Sequence, residues 1–267
     1  MAPPVVTDAT NTSDAECLAA ALLFLPPSPA PSFSRCTGGV NNIVFYIDRP
    51  GMPRLVLRIY NNGKNTARVK YEHAVLSLLA PLSLPFATPR CLPALSDGSS
   101  FALLPGGEAC CVTECIAGGP AGNGAARSIG AATATLVRSM EGLTVPPGVA
   151  AVNPLYRNFW SAHHTISPST FAALVETAQF DAVREHIDFL RGAIARAEAL
   201  IVSIMAMSPP LPTQLINADL HTDNVLVDDA GGVTGVLDFE FCAVRYYLDL
   251  HSQASTTIRF LTLRKST

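Results

Sequence analysis

The sequence predicts an α+β chain of two lobes, β-rich in its N-terminal part and mainly helical in its C-terminal part. Three observations carry this expectation. Residues 33–114 hold short runs of β-branched and aromatic residues around one helical segment. Gly118-Gly119-Pro120 and Gly122 then interrupt the pattern, as a boundary between lobes does. Beyond that break the apolar residues recur mostly at helical spacing, up to a strand and a hairpin near residues 214–237. The expected organisation is a tail with a short helix over 1–32, an N-lobe over 33–117 ending in a hinge, and a C-lobe over 118–267.

The elements follow in order. Ser13-Asp14-Ala15-Glu16 matches a capping box, in which Ser accepts from the third helical N–H and Glu reaches back. A short helix to about residue 25 follows, stopped by the stiff run Pro26, Pro27, Pro29 and Pro31. Ile43-Val44-Phe45-Tyr46-Ile47 and Leu55-Val56-Leu57-Arg58-Ile59-Tyr60 read as two strands of a hairpin, joined by the Pro50-Gly51 turn. Val69, Ala74, Val75, Leu78 and Leu79 give an apolar face to a helix over 66–79. Strands are expected over 101–104 and 109–114, and helices over 125–140, 170–177 and 181–207. A strand over 214–216 and a hairpin, 225–227 with 233–237 around Asp228-Asp229-Ala230-Gly231-Gly232, complete the plan.

Composition narrows the function. The net charge is −3, which argues against a nucleic-acid partner bound through a general basic surface. The longest apolar runs fall short of the roughly 20 residues that a membrane span needs. The N-terminus carries Asp8, Asp14 and Glu16 and lacks a basic leader, so a cytoplasmic protein is expected. The seven cysteines include no C-x-x-C pair, and Cys111 with Cys115 lacks a second ligand pair. Reduced, mostly buried thiols are the expectation.

The chemistry concentrates in Asn217-Ala218-Asp219-Leu220-His221-Thr222-Asp223-Asn224 and Gly235-Val236-Leu237-Asp238-Phe239-Glu240. Phosphoryl transfer needs a positioned nucleophile and cations on the phosphate oxygens, and little covalent help from protein. A carboxylate on a tight loop can accept the proton of a hydroxyl. An amide five residues on and a carboxylate at the end of a hairpin offer the hard oxygens that Mg²⁺ prefers. An ordinary acidic hairpin is the plainer reading of Asp and Asn in turns.

The form Asp219-Leu-His-x-x-Asn224 with Leu237-Asp238-Phe239 resembles the catalytic loop and metal motif of the aminoglycoside phosphotransferase / choline kinase superfamily, which has the protein-kinase-like fold. The resemblance runs over about residues 33–250. It implies Asp219 as catalytic base, Asn224 and Asp238 as Mg²⁺ ligands, His221 as a brace of the loop, and ATP as phosphoryl donor. Asn217 stands where the family usually has a histidine that supports this loop.

In the N-lobe, Thr37-Gly38-Gly39-Val40-Asn41-Asn42 resembles the nucleotide loop, implying that Gly38, Gly39 and Asn42 meet phosphates. Arg58 falls where the family carries the phosphate-holding lysine, and Glu72 where its helix glutamate partner belongs. The alternative for Arg58 is a surface arginine on an edge strand. Glu114 to Ala117 matches the family's hinge, implying that Glu114 and Ile116 lie where backbone groups hold adenine.

The stretches from Tyr60 to Glu72-His73, Leu84-Pro85-Phe86-x-x-Pro89-Arg90, and Gly235 through Phe241 look most like the type II homoserine kinase branch. The implied partners are therefore ATP and a small hydroxylated metabolite, homoserine first and ethanolamine or choline next; the alternatives are an aminoglycoside-type kinase and a truncated, catalytically impaired relic. Residues 252–267 lack the helical pattern with which family members continue, so an incomplete C-lobe is expected. The sequence leaves the oligomeric state open.

Overall fold

Period-two alternation divides the N-terminal strands between two helices. The computed structural model describes residues 12–36, 42–149, 159–162 and 166–246. Helix α1 spans Asp14–Ala21, with the capping box formed: Ser13 N–H donates to Glu16 Oε2 at 2.8 Å, and Glu16 N–H to Ser13 Oγ at 3.3 Å. It ends earlier than the sequence suggests, and turns carry the chain on to Leu25.

Strands β1 (Ser32–Arg35), β2 (Asn42–Asp48) and β3 (Leu55–Tyr60) run antiparallel. Helix α2 (Thr66–Leu79) follows, its N-terminus capped by Asn65 Oδ1 accepting from Arg68 N–H. Strands β4 (Ala102–Leu103) and β5 (Ala109–Glu114) complete a five-stranded sheet in the order β1-β2-β3-β5-β4.

Because side chains alternate across a sheet, Leu57 and Ile59 with Cys110 and Val112 join α1 in one core. Tyr60 with Ala109 and Cys111 meets Val69 of α2 on the other face. Covered on both faces, β3 and β5 read as nearly continuous apolar runs. Leu57 is fully buried, so Leu57→Ala should lower unfolding free energy by about 2–5 kcal/mol. Urea denaturation measures this directly.

The chain then forms β6 (Gly119–Pro120) and α3 (Ala126–Ser139). A 3₁₀ turn at Phe159–Ala162 and α4 (Pro168–Leu174) precede α5 (Ile187–Met205). The single helix expected over 181–207 is interrupted. Residues Ala178–His186 form 3₁₀ turns with a non-helical Val183, and regular helix begins only at Ile187. Trp160 is half-buried. Its indole N–H donates to Glu198 on α5 and its ring meets Phe171.

Strands β7 (Thr213–Ile216), β8 (Val225–Val227), β9 (Val233–Val236) and β10 (Ala243–Tyr246) form two small sheets, β6-β8-β9 and β10-β7. The second main core unites Tyr71, Val75 and Leu79 of α2 with Ile129 and Leu136 of α3, Leu215, Val225, Val236 and Phe239. Helix α2 thus belongs to both lobes. No helix among the described residues is long and apolar enough to cross a membrane.

Candidate active site

Two tight loops meet below the five-stranded sheet. The first runs from the end of β7 through a 3₁₀ turn at Thr222–Asn224 into β8, and the second leaves β9 at Leu237. Each contains a non-glycine residue with left-handed backbone: Ala218 at φ 63° and Asp238 at φ 56°. Such residues cost on the order of 1–3 kcal/mol and persist only where their surroundings hold them.

Asn217 supplies that restraint. It is buried, its Nδ2 donates to Asp238 O at 3.0 Å, and its Oδ1 accepts from Asp219 N–H at 3.0 Å. One amide, with one donor and one acceptor engaged, fastens both carboxylate-bearing loops. The departure from histidine therefore preserves a supporting contact.

Asn224 ties the loop to itself. Its Nδ2 donates to Asp219 O at 2.9 Å and to Asp219 Oδ2 at 3.2 Å, and its backbone O accepts from Leu237 N–H at 2.8 Å. With Nδ2 so committed, Asn224 Oδ1 makes no hydrogen bond among the described residues. Asp238 keeps a partly exposed carboxylate, and its Oδ1 accepts from Glu240 N–H at 3.3 Å. An amide oxygen and a carboxylate on loops joined by the Leu237 N–H to Asn224 O bond are hard donors of the kind that Mg²⁺ takes.

His221 Nδ1 accepts from Asp223 N–H at 3.3 Å. Its Nε2 lies 3.2 Å from Asn224 Nδ2 and 3.7 Å from Asp219 Oδ2. Burial raises the pKa of Asp219 above the ordinary carboxylate value, and the nearby Asp238 charge raises it further; His221 and the Asn224 hydrogen bond oppose them.

Above the loops lies Arg58. Strand β3 is central in its sheet, so the edge-strand alternative for Arg58 does not hold. Its Nη1 meets Glu72 Oε1 at 2.7 Å, and its Nη2 lies 3.5 Å from Asp238 Oδ1 and 3.8 Å from Glu240 Oε2. The guanidinium also stands 4.6 Å from the Tyr60 ring centroid. Burial disfavours its charge, yet Glu72, Tyr60 and Asp238 more than compensate and hold it protonated. Glu72 Oε2 is buried without a hydrogen-bond partner among the described residues.

Glu240 was not singled out from the sequence. It is 2% exposed, and a buried acid has little reason to exist without a cation. The two-residue step from Asp238 was the available signal.

The remaining candidates lie around the sheet. Asn42 opens β2 opposite Tyr60, whereas Gly38 and Gly39 lie outside the described residues. Glu114 ends β5, exposed, with its N–H donating to Arg90 O at 3.1 Å. Ile116 packs over Gly235: a Cβ added there would come 2.6 Å from Ile116 Cγ2. Gly235→Ala should therefore displace Ile116 and lower stability by about 1–3 kcal/mol, checked by thermal and denaturant unfolding.

A β-sheet presenting a glutamate-held cation over Asp and Asp/Asn loops defines the class of protein-kinase-like phosphotransferases. The sequence profile of the phosphotransferase enzyme family matches residues 32–248, and the chain belongs to that family, a small-molecule kinase. A search of curated proteins finds no match. Among solved structures, the fold is similar to a microcompartment-associated aminopropanol kinase at TM-score 0.61 and 18% identity, covering 90% of this chain and 74% of that one. It is similar to APH(2")-IIia in complex with GDP and kanamycin at 0.59 and 16%, covering 92% and 86%. It also resembles the amicoumacin kinase hAmiN in complex with AMP-PNP, Ca²⁺ and Ami at 0.61 and 16%, covering 90% and 68%.

Proposed function

We propose that the protein transfers the γ-phosphoryl group of ATP to the hydroxyl of a small metabolite, with homoserine as the first acceptor to test. The observation that carries this reading is the Asn217 amide, which fixes the Asp219 and Asp238 loops against each other. Asp219 accepts the acceptor's hydroxyl proton as the new O–P bond forms and the β,γ-bridging P–O bond breaks, releasing ADP. Its burial-raised pKa suits that role. Asn224 Oδ1 and the Asp238 carboxylate would hold Mg²⁺, which supplies positive charge to the phosphate oxygens.

Arg58, steadied by Glu72, faces the phosphates from β3. The resemblance assigns Gly38, Gly39 and Asn42 to the phosphate loop and the backbone from Glu114 to Ile116 to the adenine. Homoserine rests on the likeness of the Tyr60–His73, Leu84–Arg90 and Gly235–Phe241 stretches to type II homoserine kinases. Amino alcohols stand next, in keeping with the aminopropanol kinase of similar fold.

A second reading, nucleotide binding without transfer, is favoured by the reach of Arg58 Nη2 to Asp238 Oδ1. ADP release is measured with ATP, Mg²⁺ and homoserine, ethanolamine, choline, 1-amino-2-propanol or kanamycin. Acceptor-dependent release with homoserine supports the first reading. Release with another acceptor replaces homoserine. Thermal stabilisation by ATP with no release for any acceptor supports the second.

A further inference from the structure

Beside the Arg58–Glu72 pair, but outside the machinery just described, sits a cluster of soft ligands. His73 of α2, Cys91 and Cys111 of β5 each offer a donor atom, and these atoms all lie within 4.8 Å of one another. The backbone explains the convergence. Cys111 lies opposite Arg58 in the β3–β5 register, and Cys91 bridges Thr113, two residues along β5. Both thiols therefore emerge on the sheet face that α2 covers. His73 follows Glu72 on that helix and completes the group.

The surrounding hydrogen bonds orient the imidazole. His73 Nδ1 is 2.8 Å from Ser100 Oγ and Nε2 is 2.8 Å from Tyr60 Oη. With the ring proton on Nδ1 donating to Ser100, the Nε2 lone pair faces the cluster. Tyr60 Oη is also 3.7 Å from Cys111 Sγ, so a phenol oxygen stands beside the same space. An imidazole whose far nitrogen donates to an outer partner is the usual arrangement of a metal-bound histidine. His73, Cys111 and Tyr60 are all at most 4% exposed.

We propose that His73 Nε2, Cys91 Sγ and Cys111 Sγ form a binding site for a thiophilic metal ion, Zn²⁺ first, with the Tyr60 hydroxyl beside the fourth position. Tetrahedral Zn–S and Zn–N bonds of about 2.3 and 2.0 Å imply donor separations of roughly 3.4–3.8 Å. A modest contraction of side-chain torsions closes the site. Binding releases the two thiol protons to solvent, and the two thiolates then balance the ion's charge, which makes the buried complex neutral. The ion would staple α2 to β5 and to the segment around Cys91, next to the Arg58–Glu72 pair.

This inference stands apart from the phosphotransfer reading, and its test needs no turnover. Reduced, chelator-treated protein is titrated with Co²⁺. The expected result is thiolate-to-cobalt charge-transfer absorption with intense tetrahedral d–d bands, saturating at one equivalent and abolished by added Zn²⁺. Cys91→Ser should lose charge-transfer intensity, and Cys36→Ser should retain it. Ser100→Ala should weaken Zn²⁺ binding by about 10–100-fold.

The wild-type chain gives a readout that no variant's folding can obscure: Zn²⁺ should protect Cys91 from alkylation, read by peptide mass analysis. Absence of the charge-transfer band, its survival in Cys91→Ser/Cys111→Ser, or unchanged alkylation of Cys91 overturns the proposal.

Discussion

Asp219→Asn is expected to lower turnover by about 10²–10⁴-fold, the range that a positioned general base contributes. ATP binding should survive, because the substitution keeps the side chain's size and its contact with Asn224. Steady-state kinetics with separately measured nucleotide affinity would show this split. A variant retaining native turnover would remove Asp219 from the chemistry.

The pH dependence has a defined sign. The folded pKa of Asp219 is raised by burial and by Asp238. Activity should fall as pH drops through that raised pKa. Stability runs the other way. A carboxyl whose folded pKa exceeds its unfolded one destabilises the fold progressively as pH rises through the folded value. Asp219→Asn should therefore melt at a higher temperature than the native chain at neutral pH. That difference should vanish below the unfolded pKa.

The second large effect concerns Arg58. Its side chain is 16% exposed and that of Glu72 is 1% exposed. Removing one partner of so buried a pair leaves a stranded charge, at a cost of about 3–5 kcal/mol. Arg58→Ala should lose this much, since it strands the buried Glu72 carboxylate. Arg58→Met/Glu72→Gln should recover a large share, because both charges leave together. Denaturant unfolding of the two single variants and the double variant gives the coupling. Additive losses across that cycle would contradict the pairing.

Local signals carried much of the fold into the sequence. Helix α2 lies over 66–79, as its apolar periodicity indicates. The β-branched runs of β3 and β5 announce themselves because both faces are buried. Features settled by distant pairing did not show. Strand β1 follows a proline-rich run and carries two serines, and β10 exists through its partner β7, on the far side of the catalytic-loop sequence. The break before Ile187 also escaped, because residues 181–207 have apolar residues at helical spacing throughout.

The site divides in the same way. Asp219, Asn224 and Asp238 stand in recognisable loops, and the chain brings them together. The contact of Arg58 with Asp238 and Glu240 spans 180 residues or more and has no local signature. Cys111 likewise finds its partners in Cys91 and His73 rather than in Cys115, its nearer thiol in sequence.

Helix α2 turns one side toward Arg58 through Glu72, another toward the sheet through Val69 and His73, and a third toward the C-lobe through Tyr71, Val75 and Leu79. It cannot detach from either lobe without uncovering that lobe's core. Slow amide exchange along α2 should consequently report the opening of the whole kinase body. Its protection should match that of β3 on one side and α3 on the other, as within a single cooperative unfolding unit.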